Sequence, residues 1–262
     1  MTECYKLIEE VSEHPGNFDA CIDCMYVLLM EGSDREAQVR EHIKEAGITS
    51  KVVYQYNKGY KKCKKTLRVA ATNYDLEHAL KNAFRDALTK GYKRIIVLED
   101  DCEFDERVMN PEIINDVCTF LVENNPKIYT FGSFMPVVNP LDILVGNKHH
   151  RLLFNSGSHC IIYNDEYMKW LTKNDCIFGH VDFETNRHIS KYTYEIPLAY
   201  QKMVLTENVK EGWDIPYKIL NTFIFSPAGV TTRVQPGYDN IKKWFETFVV
   251  IIFFIMILCY VS

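Results

Sequence analysis

Three short apolar runs, CMYVLLM (24–30), KVVYQY (51–56) and KRIIVL (93–98), alternate with two stretches of helical period, and that alternation leaves few folds open. Each run is too short for a helix and rich in β-branched or aromatic residues, so each reads as a buried strand. Between the first two, Ser33 and Glu36 are spaced as a capping box and Gly47 supplies a stop, which predicts a helix over 34–46. Between the second and third, Leu76, Ala79, Leu80, Ala83, Phe84 and Ala87 share one helical face that Gly91 closes. Strand, helix, strand, helix, strand is the pattern of an α/β chain with a mostly parallel sheet.

The flanks are less regular. Residues 1–20 read as a short helical lead-in ending near Pro15-Gly16. Asn110-Pro111 opens a helix to about 124, KIYTFG and SHCIIY read as strands, and Asn164 caps a helix through Trp170. YTYEIPLAYQ is extended, and PAGVTTRVQPGYDN reads as a linker. The expected organisation is a lead-in over 1–20, one domain over 21–215, a linker over 216–243 and an apolar tail over 244–262.

The tail is the second strong constraint. From Phe248 to Val261 no charge interrupts FVVIIFFIMILCYV. At ~1.5 Å per residue the run is slightly short for a ~30 Å hydrocarbon layer, and Trp244 and Phe245 lengthen it. A terminal helix apolar on every face needs lipid or a deep groove, so it reads as a single-pass tail anchor. Lys242-Lys243 before the span predict that the domain faces the cytosol. Nine scattered cysteines form no disulfide framework and read as buried thiols of a reducing compartment, which agrees with that orientation. The formal charge of -5 speaks against a general nucleic-acid binder. One basic stretch, NKGYKKCKKTLR, runs the other way; it reads as a solvated loop, or as a contact for phosphates or an anionic membrane.

The third apolar run ends abruptly in Glu99-Asp100-Asp101. Adjacent carboxylates repel one another unless water, a partner or a cation compensates. A solvated turn would accommodate them, and so would a metal site at the carboxyl edge of a sheet, where open α/β folds bind ligands. Mg²⁺ and Mn²⁺ take one or two carboxylates plus substrate phosphates, and such an ion neutralises a diphosphate leaving group. Neither GxxxxGK[ST] nor GxGxxG occurs, so P-loop enzymes and kinases lose ground.

GYKRIIVLEDDCEF, preceded by LEHALKNAFRDALTK, resembles the core of family 25 glycosyltransferases (the lipopolysaccharide and procollagen galactosyltransferase type), and more closely the glycosyltransferases of large DNA viruses. CMYVLLMEGSDRE, GSHCIIYNDEYMKWL, HVDFETN and PLAYQKMVLTENVKEGW resemble further segments of that family in the same order, over roughly 21–215. The resemblance implies a GT-A-like single domain that moves a hexose from a UDP-sugar to a glycan or protein hydroxyl, using Mn²⁺ or Mg²⁺. It implies that Asp101 and Glu99 hold the metal, with Asp100, Asp34 and Arg35 also at the donor. It implies Asp182, or its neighbour Glu184, as the base for the acceptor hydroxyl. His159, Gln201, Glu207 and Trp213 are then acceptor contacts, although a histidine inside SHCIIY also suits a core position. One departure stands out: the family carries a Ser-His pair ahead of the glycine matching Gly91, where this chain has Ala79-Leu80, with Glu77-His78 beside them. A nucleotidyltransferase using the same carboxylates, or an inactive membrane-anchored scaffold, are the rival readings.

Overall fold

The three apolar runs are the adjacent strands β2 (Cys24–Met30), β3 (Lys51–Asn57) and β4 (Arg94–Glu99) of one sheet in the computed structural model. The structure describes residues 4–133, 136–157, 159–176, 180–202, 218–219, 221–230 and 234–261, with the backbone alone for 182, 234–236 and 261. Within these limits the fold is a mixed α/β domain around a nine-stranded sheet, ordered β1-β3-β2-β4-β9-β6-β10-β8-β7. Strand β1 is Tyr5–Val11, β6 is Ile128–Thr130, β7 is Val137–Val138, β8 is His149–Phe154, β9 is Cys160–Asn164 and β10 is Lys191–Tyr194.

The first half is parallel as expected: β2 runs parallel to both β3 and β4. Beyond β4 the sheet turns mixed, because β9 enters antiparallel between β4 and β6. Alternate residues of β2 and β4 serve different cores. Met25, Val27, Ile96 and Leu98 pack with helices α1 (Glu36–Ala46) and α3 (Pro111–Asn124). Cys24, Tyr26, Ile95 and Val97 pack with α2 (Thr72–Thr89) and α5 (Asp165–Lys173). Burial on both faces is why these strands read as unbroken apolar runs rather than alternating ones.

Local signals place most helix ends. Gly47 takes the left-handed conformation after α1, and Asn110 and Asn164 cap α3 and α5 through their side chains. Ser33 departs from expectation. The helix starts later than the capping box predicts, with Arg35 at its N-cap. Ser33 therefore sits two residues upstream, where its Oγ accepts from the Arg35 N–H at 3.3 Å and donates to Asp100 at 3.2 Å.

Three expectations need correction. The lead-in is not helical: β1 pairs antiparallel with β3 along the sheet edge, where Lys6, Glu9 and Glu10 meet solvent and mask any strand period. The cysteines are not all thiols: Cys4 is bonded to Cys63 and Cys21 to Cys118, with Cα separations of 5.7 and 5.2 Å. Such bonds persist in oxidising compartments, so the thiol argument for a cytosolic domain falls. The linker is not a linker at its end, because a helix, α7, runs without a break from Val234 to Val261. Its first turns bury Tyr238 and Ile241 against Phe225, Ala228 and Val230. Gly237 permits that approach, since a Cβ there would lie 2.7 Å from Val230 Cγ2. Past Thr247 the helix is apolar and open, with Phe248 61% and Leu258 67% exposed. Gly237–Tyr260 is long enough to cross a membrane and contains an 18-residue window with a mean hydropathy of 2.0.

Candidate active site

Strands β2, β3 and β4 end side by side, and their carboxyl ends open into a cleft of about 530 Å³. Each strand contributes the turn that follows it. After β2 come Ser33 and Arg35, after β3 the basic stretch, and after β4 the three carboxylates.

The carboxylates are not equivalent. Glu99 lines the cleft at the strand end, and its backbone N–H donates to the His159 carbonyl. Asp100 accepts from Ser33 Oγ at 3.2 Å and pairs with Arg35 Nη2 at 3.0 Å. Burial raises its pKa, while Arg35 and Ser33 pull it back. Asp101 is only 3% exposed. Its Oδ2 accepts from Gln201 Nε2 at 2.7 Å, and its Oδ1, also buried, has no hydrogen-bond donor. Burial pushes its carboxyl up to about 6, with Asp100 adding to the shift and the Gln201 amide opposing it.

That orphaned oxygen is the observation by which a divalent ion can be judged. A buried anion whose Oδ1 has no donor, and whose burial outweighs the help of Gln201 and Arg35, is under-compensated, and a hard cation would supply what is missing. Among the described residues no three His, Cys, Asp or Glu side chains form a ready-made metal group. The donor set at Asp101 and Glu99 therefore fits an ion that completes its shell with water and substrate phosphate, as Mg²⁺ and Mn²⁺ do, and not a structural metal.

The basic stretch is solvated in part, with Lys61, Lys62 and Lys64 exposed. Lys58, Lys61 and Lys62 line the cleft across from the carboxylates. Lys65 turns inward and is buried on Asp75 and Asn57. Asp75, in the first turn of α2, also accepts from the Tyr60 backbone at 3.0 Å and from Asn57 Nδ2 at 3.3 Å. Gly59 turns the loop with φ +72°, its N–H on Asn57 Oδ1. Asn57, Tyr60 and Asp75 are cleft residues that sequence reading missed; the available signal was a glycine inside a lysine cluster directly after a buried strand.

The remaining expected residues divide. Asp34 is exposed and outside the cleft lining, although it lies close enough to raise the Asp100 pKa. Gln201 lines the cleft, half-buried, with its amide on Asp101. His159 is 0% exposed, packed against Gly132, and burial lowers its pKa to about 4. It is a neutral core histidine and offers no ring edge to an acceptor, which corrects that expectation. Glu184 lies in the short helix α6 (Val181–Thr185), fully buried and paired with Arg187, away from the cleft. The Asp182 side chain, Glu207 and Trp213 lie outside the described residues. His78 bonds to the Tyr5 hydroxyl at 2.6 Å and lines a second cavity of about 360 Å³ with Arg68, Lys81 and Asp175, so it does not replace the missing Ser-His pair in the main cleft.

No family model matches this chain, and no curated protein matches it in sequence. Solved structures resemble it at low identity. A glycosyltransferase involved in the glycosylation of the major capsid of PBCV-1 is 9% identical, with 73% of this chain and 99% of that chain covered and a TM-score of 0.44. A197 from STIV is 11% identical over 70% of this chain and 86% of that one, with a TM-score of 0.43. Mouse xyloside xylosyltransferase 1 is 12% identical over 74% and 92%, with a TM-score of 0.36. Likeness at this level assigns no function, and the chemistry of the cleft has to carry the reading.

Proposed function

We propose that the chain is a GT-A-like glycosyltransferase that moves a hexose from a UDP-sugar to a glycan or protein hydroxyl. One observation carries the reading: a buried carboxylate with an unpaired oxygen, Asp101, at the mouth of a cleft whose opposite wall holds Lys58, Lys61 and Lys62. A cleft with an uncompensated anion on one side and cations on the other suits a metal–diphosphate ligand. Arg35 and the lysines gather the diphosphate, and Asp101 with Glu99 holds Mn²⁺ or Mg²⁺. The ion, when bound, neutralises charge developing on the leaving diphosphate. By the sequence resemblance Asp182 is assigned to take the proton from the acceptor hydroxyl, and Glu207 and Trp213 to contact the acceptor. The apolar end of α7 anchors the domain to a membrane. Lys242-Lys243 favour the cytosolic face and the two disulfides favour an oxidising one; protease protection in sealed vesicles separates them.

A nucleotidyltransferase would use the same carboxylates on a nucleoside triphosphate. The deciding experiment is a screen of sugar nucleotides for Mn²⁺-dependent hydrolysis, run beside a screen of sugar 1-phosphates plus nucleoside triphosphates for pyrophosphate release. Hydrolysis of one sugar nucleotide supports the proposal, pyrophosphate release replaces it, and silence in both with no nucleotide binding leaves the scaffold. Once an acceptor is in hand, Asp182→Asn should lower transfer by about 10²–10⁴-fold while donor hydrolysis persists.

A further inference from the structure

The ribbon that carries the cleft carboxylate is too small to hold itself. It consists of β5 (Cys102–Phe104) and β11 (Ala199–Gln201), two antiparallel strands of three residues outside the main sheet. Gln201 pairs with Cys102, and the Lys202 N–H donates to the Asp101 carbonyl at 2.8 Å, so the position of Asp101 is that of the ribbon. A two-stranded ribbon is marginal without packing against another element.

The main core supplies part of that packing, through Cys102, Phe104 and Ala199 and the Phe104 N–H on His42 Nε2. The start of α7, the helix whose far end is the membrane candidate, adds a second support. It touches β11 directly and reaches the turn after β5 through Arg107. On the β11 side the Tyr238 hydroxyl donates to the Gln201 carbonyl at 2.7 Å, and the Tyr238 ring lies 5.8 Å from that of Tyr200. On the β5 side Asp239 accepts from Arg107 Nη1 and Nη2, both at 3.1 Å. Arg107 in turn donates to Asp105, the residue after β5, through Nε at 2.6 Å and Nη2 at 2.8 Å. The residue that takes the Tyr238 hydroxyl on its backbone is the one whose side chain holds Asp101 Oδ2.

From this chain of contacts we propose that Tyr238 is a positioning residue for the cleft: the anchor helix sets the Gln201 backbone, and through the Gln201 amide it sets the Asp101 carboxylate. The inference deepens the transferase reading and rests on it for the identity of the ligand. The helix is then part of the machinery as well as a tether, and Tyr238 acts through Gln201 and touches no substrate.

The test uses the full chain in detergent and two readouts. Amide exchange over 199–202 is followed in metal-free protein, and Mn²⁺ binding in the presence of UDP is read from the free-ion magnetic resonance signal. Tyr238→Phe keeps the ring and deletes one hydrogen bond, so exchange at 199–202 should accelerate and Mn²⁺ binding should weaken by about 2- to 12-fold. Gln201→Ala removes the donor to Asp101 and should weaken it by about 10- to 100-fold. The double variant should be no weaker than Gln201→Ala alone, since the hydroxyl acts only through that amide. Ile241→Val, which shaves one methyl from the same helix and leaves the Tyr238 hydrogen bond in place, should weaken Mn²⁺ binding by less than Tyr238→Phe does. Additive losses in the double variant, an equal loss in Ile241→Val, or unaltered exchange in Tyr238→Phe would each overturn the proposal. A parent protein that ignores Mn²⁺ and UDP sinks the transferase reading instead, and the exchange arm then judges the positioning role by itself.

Discussion

The turn after β4 and the helix α6 each withdraw a carboxylate from water, and they compensate it in opposite ways. Glu184 has a guanidinium just past its own helix, Arg187, and does not line the cleft. Asp101 has a neutral amide on one oxygen, nothing on the other, and open space beyond. Breaking a buried charge pair leaves a cost behind, so the first arrangement is a closed structural device. The second is complete only when something cationic arrives. Burial alone therefore does not mark a site; burial with a missing partner beside a cavity does.

The largest expected effect tests the open half of that contrast. Asp101→Asn should lower affinity for Mn²⁺ plus UDP by more than about 100-fold, a loss above that typical of outer-shell changes, and equal ligand-induced thermal stabilisation of variant and parent would dissolve the comparison. The same variant has a pH signature without metal. The folded Asp101 carboxyl titrates near 6 instead of 3.8, so the folded state holds that proton more tightly than the unfolded chain. Its contribution to stability is full below about pH 4 and is lost as pH rises through 6. Parent stability relative to Asp101→Asn should accordingly fall between pH 4 and pH 6, as read by denaturant melts, and a flat difference would place Asp101 in water.

The cleft also differs from α6 in being tied covalently. Cys4–Cys63 closes a 59-residue separation and holds the basic loop against the N-terminal strand. Replacing both residues with serine should cost about 4 kcal/mol in unfolding free energy, and UDP affinity should fall along with it. Unchanged UDP affinity would show that the Lys65–Asp75 contact fixes the loop unaided.

Glu184→Gln examines the closed half. It should destabilise the fold by about 1.5–3 kcal/mol while leaving Mn²⁺–UDP affinity within about twofold, because the lost partner is a structural guanidinium. A collapse of donor affinity at constant stability would move α6 into the site. The smallest effect belongs to the cleft wall: Lys62→Ala should weaken UDP binding by about 1.5- to 5-fold, with a shallower salt dependence seen by titration at two ionic strengths.

The residues that were legible in the sequence share a short range of causation. Strands β2 to β4 announce themselves because both faces are buried, and the ends of α1, α3 and α5 are set by Gly47, Asn110-Pro111 and Asn164 within a turn of the helix. Glu99, Asp100 and Asp101 stood out because they end or follow a strand directly, and Arg35 entered through the family resemblance; all four line the cleft. What escaped depends on distance along the chain. Gln201 reaches Asp101 from one hundred residues away, and Tyr238 reaches Gln201 from an apolar helix that advertises only its affinity for lipid. The cystines escaped because spacing does not encode pairing, and β1 because an edge strand covered with charge has no strand period. Ser33 misled because α1 begins two residues later than its spacing to Glu36 implies, with Arg35 at the N-cap, and its hydroxyl serves the Arg35 N–H and Asp100 instead.

The place of β9 in the sheet bears on how the chain is made. It lies between β4 and β6, yet about 60 residues separate its start from the end of β4. At roughly 5–20 residues per second a ribosome needs about 3–12 s to deliver it. Throughout that interval β2, β3 and β4 are available to pair, while the far side of β4, with Ile95 to Leu98, has no neighbour of its own. An unpaired apolar strand edge is a template for other chains. The growing polypeptide is thus most vulnerable to association in the window before Asn164 emerges, and a slowing of translation there should favour aggregates over folded protein.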